Sequence, residues 1–325
     1  MTSTVDPPVL SAPTSGLQPV RWHRPLVYIA VLMSVMAAFA LVARFISPIE
    51  IGGLNQWDKP LKFALSIVVY SIAWSWLIGQ LQRFRRTAWV AGAVIVVTLL
   101  IEMVIIVGAA AFGTTSHFNV STPLAVAALS LMGAAVSVLW IASLLVSVLL
   151  FFSHLGDAAR TVAIRSGAIL SVVGLALGYL MTGPTSAQLA DPQGVVGAHT
   201  VGLPDGGPGL AVLGWSTEGG DLRIPHFVGM HALQVIPIAL IVLELLSRRI
   251  VILRDVTTRA GLAWIVAATY AGAMGLLTWQ ALRGESIVDP GGQTVAGALI
   301  LACAALAASG LVLRAHRIRV ERAVR

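Results

Sequence analysis

The sequence predicts an all-α integral membrane protein: a bundle of about eight transmembrane helices, both termini cytoplasmic, with one long Gly/Pro-rich extracytoplasmic loop. Three observations predict it. Hydrophobic residues make up 57% of the 325 positions and charged residues only 11%, where a soluble domain carries about 25% charged residues. Apolar runs long enough to cross a bilayer, about 20 residues each, recur along the chain. The Lys and Arg residues are concentrated in alternate connections between those runs.

The chain opens with "MTSTVDPPVLSAPTSGLQPV", residues 1–20, rich in Pro, Ser and Thr and too poor in apolar residues to fold alone, which reads as a disordered leader. A cleaved signal peptide fits less well, because the first apolar run starts late, behind "RWHRP", and is longer than a signal core. The transmembrane domain covers residues 21–314, with runs at about 26–47, 61–82, 88–113, 123–152, 161–183, 226–247, 261–283 and 293–314. All are expected to be helices, since an open sheet edge in hydrocarbon leaves backbone groups unpaired and no run alternates as a barrel strand does. Residues 315–325 form a basic tail.

Orientation follows from the positive charges. With the N-terminus inside, 16 of the 21 basic residues fall in cytoplasmic segments: Arg21 and Arg24, Arg83, Arg85 and Arg86, Arg160 and Arg165, Arg248, Arg249, Arg254 and Arg259, and five in "RAHRIRVERAVR". Short loops place their Lys and Arg in this way in a plasma membrane. The net charge of +7 then reads as a collar facing anionic lipid head groups. The lipid bilayer is the expected partner and nucleic acid is not, because the tail directly follows a span and has no interleaved aromatics. Cys303 has no second cysteine to pair with, which excludes a disulfide framework, a thiol redox motif and a cysteine-based zinc site within the chain.

One connection stands apart. Residues 184–225 contain nine Gly, five Pro, four acids and one Arg in 42 positions. Loops of that length are functional or disordered, and this one reads as a flexible lid over the bundle. Its Gly-Gly-Pro-Gly lacks the preceding strand and the following helix of a phosphate loop.

The unusual polar stretches all belong to extracytoplasmic connections: "NQWDKPLKF" at 55–63, "GTTSHFNVSTP" at 113–123 and "GDLRIPHF" at 220–227. Pro60, Pro123 and Pro225 each open a helix, and Asp58, Ser121 or Thr122 can cap its free amides. Trp57 reads as an interfacial anchor. Capping does not account for Glu102, His117, His226, His231 and Gln234, which with Lys62, Asn119 and Gln280 make up the candidate cavity. Lys62 lies just inside the second span, free to snorkel outward or to meet an acid.

In the sixth span His226, Met230, Gln234 and Pro237 fall within about 80° of one another, with His231 about 60° beyond Gln234. The spacing of five between His226 and His231 differs from the i, i+4 spacing of helical zinc ligands. Glu102 lies in "VTLLIEMVIIVGAA", about 16 Å below the outer end of the third span, and Gln234 and Pro237 lie about 14–18 Å below the same face. A carboxylate at that depth is costly unless protonated or paired. Pro237 frees the carbonyl of residue 233 and is expected to break its helix. His23, His154, His199 and His316 are expected to be solvated.

A four-plus-four repeat is one reading of "DKPLKF" against "DLRIPHF" and of "FGTTS" against "LRGES", and chance similarity of short Gly-, Pro- and Ser-rich stretches is the other. Parallel repeats of this kind place binding sites at the interface of the halves. Through "WDKPLKF", "SHFN" and "GDLRIPHFVGMHALQ" the chain resembles a group of uncharacterised bacterial, actinobacterial-type multi-pass membrane proteins. The resemblance implies no activity, cofactor or catalytic residue.

Three functions remain. The first is a metal- or haem-binding protein, redox-active in one version, with ligands from His117, His226 and His231. The second is a transporter or receptor for a small solute or proton, in which Glu102 changes protonation and the lid gates access. The third is a structural or assembly subunit for a membrane-protein partner. Hydrolase chemistry has no nucleophile elbow or HExxH motif to support it, and Ser116 beside His117 is no triad.

Overall fold

Ten α-helices account for most of the chain in the computed structural model, which describes residues 21–324. The expected leader at 1–20 lies outside the described residues. The long helices are α1 (Arg24–Ile46), α2 (Asp58–Gln80), α3 (Arg85–Ala111), α4 (Pro123–Phe151), α5 (Ala158–Leu177), α9 (Val256–Leu282) and α10 (Gly292–Val324). The short α6 (Ser186–Ala190) lies in the long loop, and α7 (Arg223–Met230) and α8 (Ala232–Leu246) form a bent pair. Seven helices are long and apolar enough to cross a membrane, and the α7–α8 pair, bent by 47°, makes eight if it is one span. The chain is therefore read as a membrane protein.

The helix starts follow local chemistry. Thr122 accepts the amide of Ala125 ahead of Pro123, and Asp157 and Asp255 cap α5 and α9 in the same way. The core joins Leu26, Ile67, Trp74, Ile95, Leu150 and Leu233 across the bundle. Val31, Phe39, Val104 and Leu299 face outward instead, as lipid-facing side chains do. Polar side chains stitch the helices together: Tyr70 meets Ser143 at 2.7 Å, and Trp140 donates to the Val172 carbonyl at 3.0 Å.

One end of the bundle collects the arginines. Arg160 pairs with Glu244, Arg259 with Asp157, and Arg319 with Asp255, so the starts of α5 and α9 and the ends of α8 and α10 meet there. His23, expected to be solvated, is buried at this end: its ring caps α1 and its Nε2 lies 3.0 Å from the Trp89 carbonyl of α3. Its position just before the first span concealed that α3 closes over it. His316, also expected to be solvated, contacts Asp255 at 3.1 Å.

The two halves pack in the same order. In the first, α1 packs on α2 and α3, and α3 on α4; in the second, α5 packs on α7, α8 and α9, and α9 on α10. In the first half a two-stranded hairpin, β1 (Glu50–Ile51) with β2 (Leu54–Asn55), precedes α2; in the second, β3 (Thr200–Val201) with β4 (Gly220–Asp221) precedes α7. The halves meet through α4 with α5 and α2 with α8.

The break between α7 and α8 falls at His231, six residues before the expected Pro237, and α8 runs through that proline. A close tertiary contact lies beside the break. At the crossing of α5 and α7 the backbones of Gly174 and Gly229 touch, and a Cβ on Gly174 would lie 2.1 Å from the Gly229 carbonyl carbon. The carbonyls exposed by the bend are satisfied from neighbouring helices: Tyr270 donates to Val228 at 2.5 Å and Ser171 to Met230 at 2.8 Å.

Candidate functional site

The end opposite the arginines is covered by residues 184–222, a lid whose segments are bonded to one another and to the bundle. Thr185 and Gln188 make a capping box on α6. Asp205 accepts hydrogen bonds from the amides of His199 and Thr200 and from the Thr200 hydroxyl. The tip folds back on itself at Gly209 and Ser216, and Val212, at φ 65°, packs against the main core. A β-branched residue in the left-handed region is strained, so its contacts with the bundle hold it there. Two cations latch the tip: Lys62 donates to the Leu213 carbonyl at 2.8 Å and Arg223 to that of Gly214. Arg223 is itself clamped by Asp221, a carboxylate with 0% side-chain exposure.

Beneath the lid lie polar groups from four elements. The first turns of α2 bring Lys59, Lys62 and Ser66, α3 brings Glu102, the α3–α4 connection brings His117, and α7 and the bend bring Arg223, His226 and His231. Lys59 is close enough to Lys62, Glu102, Arg223 and Asp205 to feel their charges, and His117 to Lys59, His199, Lys62 and His226. Phe63 and Phe118 both stack on the His117 ring, and Phe118 stacks on His199 at 4.7 Å between centroids.

Glu102 is 5% exposed, and its Oε1 has no hydrogen-bond partner. Lys59 supplies the charge acting on it, yet the two make no ion pair. The side chain is thus an acid held in the bundle without direct compensation, which is expensive in hydrocarbon.

The histidines take separate partners. Nδ1 of His226 lies 2.8 Å from the Gly174 carbonyl, with the ring against Gly178. His231 sits between Gln234, 3.2 Å from Nδ1, and Ser66, 3.4 Å from Nε2. Nδ1 of His117 meets Ser116 at 3.1 Å. Among the described residues, no three His, Cys, Asp or Glu side chains stand together as a metal site. The expected trio of His117, His226 and His231 is therefore not assembled as a ligand set; the bend after His226 turns His231 toward α2.

His199, expected to be solvated, is instead oriented by Asp205, with Nδ1 2.6 Å from Oδ2. Burial pushes the His199 imidazole below its ordinary range against the pull of Asp205. Burial alone would raise Asp205, but the bonds from the His199 ring and from the two amides outweigh it and hold the carboxyl well below the usual range. The contact between Nδ1 and the carboxylate fixes the orientation of the His199 ring. Burial, reinforced by the charge of Lys59, also pushes His117 well below its ordinary range.

Other expected lining residues lie elsewhere. Asn119 shapes its own turn through Thr114 and Ser121. Gln280 donates to the Ser286 carbonyl at 2.8 Å, in a crevice it shares with Asp221 and Glu285. Gln234 donates to the Val69 carbonyl at 3.3 Å, tying α8 to α2 and leaving α2 between it and Glu102 on α3. Lys62 meets a backbone carbonyl rather than an acid. Sequence reasoning missed Lys59, His199, Asp205 and Arg223. The doubled lysine of "DKPLK" and the His-to-Asp spacing in "HTVGLPD" were the available signals.

No family model, curated protein or solved structure matches the chain. Its function has to be read from its own residues.

Proposed function

We propose that this is a plasma-membrane protein of bacterial type, N- and C-termini inside, that binds a small polar solute or a proton beneath its outward-facing lid, as a transporter or receptor does. The observation that carries the reading is Glu102, an acid 5% exposed, with an unbonded oxygen and, among the described residues, the charge of Lys59 alone acting on it. Intramembrane acids of this kind mark proton and solute paths. Lys59 and the imidazoles of His117 and His199 lead from it toward the lid, and the Lys62 and Arg223 latches give the lid something to release.

The test is Glu102→Gln, which keeps the shape and removes the titration. In vesicles with an imposed pH gradient, wild-type protein is expected to show pH-dependent proton uptake that the variant loses, together with a titrating carboxyl band in the infrared difference spectrum. Unchanged pH dependence in Glu102→Gln refutes the proposal.

A metal- or haem-binding role is the second reading, favoured by the His199–Asp205 pair, since a carboxylate that orients an imidazole is a common support for a metal ligand. Elemental analysis and an absorption spectrum of purified protein test it, with His117→Ala and His199→Ala as the variants expected to lose the signal.

A further inference from the structure

We propose that the groove between α3 and α4 at the arginine-bearing end binds one anionic phospholipid, with an acyl chain along the groove and the phosphate between Arg86 and Thr87. The groove has a volume of about 530 Å³ and runs from Arg86 and Thr87 past Val90 to Val94 on α3. Eight residues of helix correspond to about 12 Å, so it extends from the charged end well into the apolar part of the span. Ala91 and Ala142 form the floor, 4% and 6% exposed, and their small side chains open the space. The walls stay uncovered, with Val90 and Ile141 55% and 58% exposed.

The head of the groove is chemically incomplete. Arg160, Arg259 and Arg319 at the same end are neutralised by Glu244, Asp157 and Asp255, and Arg165 caps the carbonyls that end α4. Arg86, like Arg83 and Arg85 before it, makes no ion pair among the described residues, but of the three it alone lines the groove, and no acidic side chain does. A guanidinium meets a phosphate through paired N–H donors, and the Thr87 hydroxyl adds another. An apolar track about one acyl chain deep, beginning at an uncompensated guanidinium, matches a lipid phosphate in both charge and position.

Native mass spectrometry of the delipidated full-length protein tests this, with titrations of phosphatidylglycerol and of phosphatidylcholine carrying the same chains. The first phosphatidylglycerol is expected to bind about fivefold more tightly than phosphatidylcholine, the gain from one basic residue near the surface. Arg86→Gln is expected to abolish that preference while leaving phosphatidylcholine binding unchanged, and Ala142→Leu, which fills the floor, to weaken both lipids. Arg317→Gln, in the basic end of α10, is expected to change neither. Equal affinities in the wild type, wild-type behaviour of both groove variants, or an equal loss in Arg317→Gln would overturn the proposal. So would displacement of the lipid by inorganic phosphate at comparable concentration, which would assign Arg86 to the free ion.

Discussion

Replacing Gly174 by alanine tests the close crossing of α5 and α7 beside the bend of the α7–α8 pair. The new Cβ would lie 2.1 Å from the Gly229 carbonyl carbon and 2.3 Å from the Met230 nitrogen, where ordinary contact begins at about 3.4 Å. All of these atoms are backbone, so no side chain can rotate away and the helices must part by about 1.3 Å. Overpacking of this kind costs about 1–3 kcal/mol. The separation also stretches two bonds that span the crossing, His226 to the Gly174 carbonyl and Ser171 to the Met230 carbonyl, both 2.8 Å. At about 0.6–1.5 kcal/mol each, their loss brings the total to about 2–6 kcal/mol, a large share of the stability of a folded protein.

The assay is denaturant unfolding in mixed micelles followed by circular dichroism. Gly133→Ala serves as the control, since nothing lies within 4 Å of its new Cβ, and alanine favours a helix over glycine by about 1 kcal/mol. Gly133→Ala is expected to be neutral or slightly stabilising and Gly174→Ala strongly destabilising. If the two unfold within about 0.5 kcal/mol of each other, the crossing tolerates the added Cβ, and the reasoning fails.

Two further outcomes follow from the lid and the histidines. Lys62→Met removes the donor to Leu213; a hydrogen bond from a charged group contributes about 1.5–3 kcal/mol, so amide exchange across residues 209–216 is expected to quicken about tenfold or more, and unchanged exchange refutes the latch. His23, His117 and His199 all have imidazoles lowered by burial, so below pH about 6.5 the unfolded chain takes up protons that the fold refuses, and each histidine removes up to about 1.4 kcal/mol of stability per pH unit. Unfolding midpoints from pH 7.5 to 5 are expected to fall, less so in His23→Gln, whereas the stabilisation from the depressed Asp205 is fully present above its unfolded value of about 3.9 and is lost only as the pH falls below it.

The features legible in the sequence were those set by local composition. Each apolar run carries its own signal, and the connections "NQWDKPLKF", "GTTSHFNVSTP" and "GDLRIPHF" were grouped because successive spans must reverse direction. Whatever depends on contact between distant segments was not legible. Pro237 is a strong local breaker, yet the bend falls at His231, beside the crossing with Gly174 of another helix. His23 looked exposed until Trp89 of α3 closed on it. The glycines of the long loop signalled flexibility, while the bonds that hold it reach Lys62, 151 positions away from Leu213.

The same distinction bears on where the function lies. The two halves share a frame of hairpin, a span led by Asp, Pro and Phe, and a buried serine at Ser116 or Ser286. In both, the leading aspartate is buried and paired with arginine, Asp58 with Arg44 and Asp221 with Arg223, which marks these pairs as parts of the frame. The halves differ at the seam of α2 and α8, where Ser66 meets His231 and Gln234 meets the Val69 carbonyl. On one side α2 is straight and carries Lys59 and Lys62; on the other the helix is bent and carries His226 and His231. Glu102 belongs to the first half, and the lid with its His199–Asp205 pair to the second. A frame needed only for stability has no use for such a contrast, since a buried acid without a partner costs free energy in either half. The bend at His231 and the unbonded oxygen of Glu102 both lie outside what the halves share, so variants there, rather than in the Asp–Arg pairs, bear on the proposed binding.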